Sequence, residues 1–87
     1  MMSLVRTNYG YEFRTSESIR TFSKALDKKK IGYLSAPGVL MIYTNMEAKS
    51  FIALIMEHFH VDTLNADWGF AWNLETYTVE FVGVKRK

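Results

Sequence analysis

The sequence predicts an α+β fold: a four-stranded antiparallel sheet carrying two helices on one face, in the order βαββαβ. Three features predict it. Strict alternation marks both ends of the chain, with Tyr9, Tyr11 and Phe13 sharing one parity near the start and Tyr77, Val79 and Phe81 near the end. Two stretches between them repeat at helical spacing, Ile19, Phe22 and Leu26 in the first and Ala48, Ile52, Ile55 and Phe59 in the second. Between the helical stretches, Pro37-Gly38 separates two apolar runs, the signature of a type II turn closing a hairpin.

The first strand is expected over LVRTNYGYEFRT, with Val5, Thr7, Tyr9, Tyr11 and Phe13 facing the core and Arg6, Asn8, Glu12 and Arg14 facing away. Gly10 marks either a bulge or the tip of a turn that splits this segment. In the first helix Thr15 or Ser16 caps the start, Glu17 suits the positive end of the dipole, and Lys28, Lys29 and Lys30 suit the negative end. Gly32 is expected to end it in the left-handed conformation. VLMIY, almost wholly apolar, reads as a central strand buried on both faces. The second helix, over 44–60, is expected to begin with a capping box of Thr44 and Glu47. Leu54 lies off its apolar stripe and is a candidate contact for a partner. VDTLNADWGFAWNLE has no clean period; GFAWNL is a candidate short strand pairing with the last one. This order is that of the ferredoxin-like split βαβ arrangement, which hosts many unrelated functions.

With 87 residues the chain is expected to form a single domain, 1–87. Such a chain buries only about 60–65% of its unfolded surface, so its stability depends on a good core. The 48% hydrophobic content supplies one. The absence of cysteine excludes a disulfide framework, thiol catalysis and cysteine-ligated zinc. No apolar run approaches a membrane span, FIALIM being the longest, and no leader pattern opens the chain. A soluble, cytoplasmic protein without membrane association is expected. Residues 1–49 hold eight Lys or Arg against four Asp or Glu, whereas 50–84 hold five acids and no Lys or Arg. Such a charge dipole can steer a charged partner.

The stretch MEHFHVD, 56–62, carries the only histidines. HxHxD resembles the opening of the metallo-β-lactamase-type motif HxHxDH, which would imply His58, His60 and Asp62 as metal ligands. The sixth position is Thr63, and no third histidine exists. On a helix, positions 58 and 60 point about 200° apart and cannot chelate one ion. The expectation is therefore no metal and no cofactor, with two histidines at a helix end whose dipole favours their protonated forms. There is no Gly-rich phosphate loop and no nucleophile elbow, so no catalytic residue is assigned and the chain is expected not to be an enzyme.

The βαββαβ order invites comparison with the RNA-recognition motif, but PGVLMIYT offers only Tyr43 as an exposed aromatic where that motif carries its signature. Arg6, Asn8 and Arg14, joined by Glu80 from the last strand, are expected on an open sheet face of mixed charge, which suits a protein partner better than nucleic acid. Trp68, within the cluster Trp68, Phe70 and Trp72, is a further candidate contact. The expected function is a small non-enzymatic regulator or inhibitor that occupies a protein partner, by analogy with phage-encoded inhibitors of host defence. The alternatives are an RNA-binding module using the open face and a metal-binding protein through His58, His60 and Asp62. Homodimerisation is a further possibility.

Overall fold

The computed structural model describes the backbone of residues 2–71 and 74–84, and their side chains except those of 62, 63, 67–71, 74–76 and 84. The elements are β1 (Met2–Thr7), β2 (Gly10–Thr15), α1 (Arg20–Lys28), β3 (Gly32–Ala36), β4 (Val39–Tyr43), α2 (Ala48–Phe59), β5 (Val61–Ala71) and β6 (Leu74–Val84). They build one six-stranded antiparallel sheet in the order β3-β4-β2-β1-β6-β5. The α+β class and the two helices agree with expectation. The four-stranded ferredoxin-like arrangement does not: the fold is ββαββαββ.

Both departures come from hairpins: the first segment splits near Gly10, one of the two alternatives there, and the strand expected only over GFAWNL extends through 61–71. Thr7 pairs with Gly10, leaving Asn8-Tyr9 as a two-residue connection between β1 and β2. Such a loop joins positions i and i+3, which are of opposite parity yet face the same side. An alternation that runs unbroken through the letters therefore changes sides at the turn. In β2 the expected parity holds, with Tyr11, Phe13 and Thr15 buried. In β1 it is inverted, and Met2, Leu4 and Arg6 stand opposite Thr15, Phe13 and Tyr11. At the other end, residues 61–71 form a full strand paired with β6 from Val61↔Val84 to Ala71↔Leu74. The segment β2–α1–β3–β4 keeps the order of a split βαβ unit. β1 then occupies the place beside β2 where the final strand was expected, and the β6–β5 hairpin is displaced outward.

The core lies between one sheet face and the helices. Met2, Leu4, Tyr11, Phe13, Leu40, Ile42, Tyr77, Val79 and Phe81 of the sheet meet Phe22 and Leu26 of α1 and Phe51, Ile52 and Ile55 of α2. Tyr11 stacks on Phe51 with ring centroids 4.5 Å apart and parallel planes. Phe13 contacts Phe22, Phe59 and Phe81 at 5.5, 5.6 and 6.3 Å. The expected stripe on α2 is present, rotated so that Phe51 is fully buried while Ala48 and Phe59 are only partly so. Leu54, the candidate partner contact, is half-buried and packs against this core.

The helix ends differ from expectation in detail. The N-cap residue of α1 is Ile19, with no side-chain cap, in place of Thr15 or Ser16; just before it Ser18 Oγ accepts the N–H of Arg20 at 3.4 Å and Thr15 Oγ1 accepts the Glu17 N–H. At the C-terminus of α1, Lys30 takes the left-handed conformation (φ 59°), with Ile31 N–H bonded to Leu26 O at 3.0 Å and Lys30 N–H to Asp27 O at 3.0 Å. This is the Schellman arrangement, closed by a lysine where glycine is usual. Gly32 is already the first residue of β3. At α2, Thr44 Oγ1 accepts from Met46 N–H at 3.1 Å and Glu47 is itself the N-cap residue, so the expected capping box is not made.

Candidate functional site: the open sheet face

Among the described residues no element packs on the sheet face opposite the helices. Its residues follow from the register. One row crosses the sheet through Ala36, Val39, Arg14, Ser3, Glu80 and Asn65, and the next begins Leu34, Met41, Glu12, Val5 and Thr78. The face therefore divides in two. On the β3–β4 side it is apolar, with Leu34 55% and Tyr43 42% exposed and Val39 and Met41 half-buried. On the β6–β5 side it is polar, and Asn65, Ala66, Thr78 and Glu80 line a shallow depression of about 280 Å³. Between the halves, Arg14 Nε donates to Glu12 Oε1 at 2.8 Å, forming a solvated ion pair. An exposed pair of this kind contributes at most about 1 kcal/mol, so both groups remain available to a partner.

The apolar half ends in two tyrosines. Tyr9, from the β1–β2 turn, and Tyr43, at the end of β4, lie with ring centroids 5.0 Å apart, tilted by 38°. The cross-strand neighbours of Tyr43 are Gly32 and Gly10, so no side chain flanks it along that row.

Of the residues expected to bind a partner, Arg14 and Glu80 are on the open face and exposed. Arg6 is not. It lies on the helix side, where Nη1 donates to the Tyr11 hydroxyl at 3.1 Å and Cζ sits 5.3 Å from the Tyr11 ring centroid. Tyr11 in turn donates to the Met46 carbonyl at 2.6 Å, tying the β1–β2 hairpin to the approach to α2. The cause is the parity inversion at the turn. Asn8 is exposed in that turn, at the sheet's end rather than on its face. The side chain of Trp68 lies outside the described residues; its backbone pairs with Tyr77. Leu34, Met41 and Tyr9 were not anticipated. Leu34 and Met41 stand at equal distances from the Pro37-Gly38 turn, and counting outward from it places both side chains on one face.

The histidines do not converge. His58 faces α1, its Nε2 in hydrogen-bond contact with Thr21 Oγ1 at 3.2 Å and its ring 5.2 Å from Phe22. His60 has left the helix in the left-handed conformation (φ 55°). The Asp62 side chain lies outside the described residues. Among the described residues no group of three or more His, Cys, Asp or Glu could hold a metal ion. Burial pushes His58 below the usual histidine range, and His60 acts in the same direction. The expectation that the helix dipole favours protonation is thus overturned at His58, where desolvation prevails. A depressed pKa means that the unfolded chain binds the proton more readily. Stability is therefore full above about pH 6.5 and declines as pH falls from there toward the folded-state value. Urea midpoints at pH 7.5 and 5.5 should show this loss, and His58→Gln should lessen it; an equal loss in the variant would assign the effect to another group.

Among the described residues no helix is long and apolar enough to cross a membrane. No protein-family model, curated protein or solved structure matches the chain.

Proposed function

We propose that this chain is a non-catalytic binding domain of the regulator or inhibitor type, which captures a protein partner on the open face of its sheet. One observation carries the reading: an uncovered apolar surface of Leu34, Met41, Val39 and Tyr43 adjoins a mixed-charge border of Arg14, Glu12 and Glu80. Apolar area at the centre with polar groups at the rim is the usual anatomy of a protein–protein contact. Charges of both signs select a partner by complementarity and give no uniform field for phosphates. The test is capture of a partner from cells that make the protein. Arg14→Glu and Met41→Lys should each abolish capture while leaving the circular dichroism spectrum unchanged. Lys24→Glu, on an exposed position of α1, should not, and nuclease treatment should leave the complex intact.

A second reading is favoured by the exposed Tyr9–Tyr43 pair, which offers rings for base stacking near the Lys28–Lys30 run that precedes Gly32. Complexes destroyed by nuclease and by Tyr43→Ala, with Arg14→Glu still binding, would replace the protein reading with this one.

A further inference from the structure

The two edges of the sheet are unlike. β5, eleven residues long, carries Asp62 and Asp67 in its sequence. β3, Gly-Tyr-Leu-Ser-Ala, is short but has no charge, no proline and no bulge, three of the devices that ordinarily protect an edge from pairing with another chain.

The backbone of β3 has a definite polarity. The Gly38 carbonyl accepts from Thr15 N–H at 3.0 Å, and Thr44 N–H donates to Tyr9 O at 3.1 Å. Even-numbered positions along β4 therefore direct their hydrogen bonds toward β2, and odd-numbered ones toward β3. Val39, Met41 and Tyr43 thus bond to Ala36, Leu34 and Gly32, their register partners. That leaves Tyr33 and Ser35 presenting N–H and C=O outward from the edge. Leu34, between them, is the midpoint of the strand and the most exposed large apolar side chain described.

We propose that β3 pairs antiparallel with β3 of a second copy about a two-fold axis at Leu34, joining the two six-stranded sheets edge to edge. In this register Tyr33 of each copy faces Ser35 of the other, exchanging the outward backbone bonds. Leu34 meets its own equivalent in a non-hydrogen-bonded pair, where side chains approach most closely. Gly32 faces Ala36, so nothing bulky obstructs the ends. Electrostatics favour the antiparallel orientation of the two copies. The run Lys28–Lys30 precedes each strand, and antiparallel pairing sends the two runs to opposite ends, each beside the other copy's Pro37-Gly38 turn. A parallel pairing would place the two lysine runs side by side. The backbone pairing uses the sheet's edge; of the open-face residues Leu34 is shared with it, whereas Arg14, two strands away on β2, is not.

The chain contains no cysteine, which makes the register directly testable. Residues 34 of the two copies would stand about 4.5 Å apart at Cα, within disulfide reach. Residues 35 would be diagonal neighbours at about 7–8 Å, beyond it. Under mild oxidation Leu34→Cys should form covalent dimer more than about tenfold faster than Ser35→Cys or Asn65→Cys, because docking raises the local thiol concentration. Sedimentation of the wild-type chain up to about 1 mM, a range chosen for a small interface, should show a monomer–dimer equilibrium. Leu34→Lys should abolish it and Arg14→Glu should leave it unchanged. Equal cross-linking rates at all three positions, a monomer throughout, or a dimer that persists in Leu34→Lys would each overturn the proposal.

Discussion

Replacing Phe13 with Ala is expected to lower stability by about 3–5 kcal/mol, enough to unfold much of a domain this small at 37 °C. Phe13 is fully buried at the middle of β2, the strand between β4 and β1. Its ring touches Phe22 of α1, Phe59 of α2 and Phe81 of β6, so one truncation removes contacts to three elements at once. These rings come from separate segments of backbone, which limits how far the site can collapse into the cavity. The measurement is a urea midpoint by circular dichroism. A midpoint within error of wild type would mean that the aromatic cluster does not hold the helices to the sheet.

Gly10→Ala should be as damaging for a different reason. Gly10 has φ +151°, a conformation that side-chain-bearing residues rarely adopt, and a Cβ there would collide with the Ile42 carbonyl oxygen and stand 2.8 Å from Thr44 N. Both obstacles are backbone, in β4 and in the residue that follows it, so neither can swing aside. The expected loss is about 3 kcal/mol or more. Gly38→Ala provides the comparison. Its φ of +76° also favours glycine, but the nearest atom to its Cβ would be Thr15 O at 3.7 Å, an ordinary contact. Only the conformational penalty then applies, about 1–2 kcal/mol. Equal melting temperatures for the two variants would show that β2 and β4 do not approach closely at Gly10.

The contrast between these glycines also marks how far local sequence reaches. Pro37-Gly38 announces its turn through the fixed φ of proline and the permitted positive φ of glycine, both properties of the residues themselves. The helical spacing of Phe22 and Leu26 and of Ile52 and Ile55, and the buried parity of Tyr77, Val79 and Phe81, were legible for the same reason. Asn8-Tyr9 carries no comparable signal. Neither residue has positive φ, and the glycine that the turn requires stands one position later, where it serves the neighbouring strand's approach. Gly10 marks the β1–β2 boundary only as one of two alternatives, and carrying one parity across it puts every assignment in β1 on the wrong side. Arg6, expected on the open face, belongs to Tyr11 and the helix side. Arg14 and Glu80, beyond that turn or far from it, kept their expected places.

What the sequence determined by itself was local: two amphipathic helices, one explicit hairpin, the parity of β2 and β6, and a chain without thiol chemistry. Each depends on residues within a few positions of one another. What only the tertiary structure decided was non-local. β1 pairs with β6, and β5 becomes a full strand, through backbone hydrogen bonds that any residue type except proline can make. Because those bonds carry almost no side-chain signature, neither the number of strands nor their order was written in the pattern of apolar residues. The apolar half of the open face had the same origin. Met41 lies in a run that reads as buried on both faces, and only its place in a sheet with helices on one side leaves it, with Leu34, uncovered.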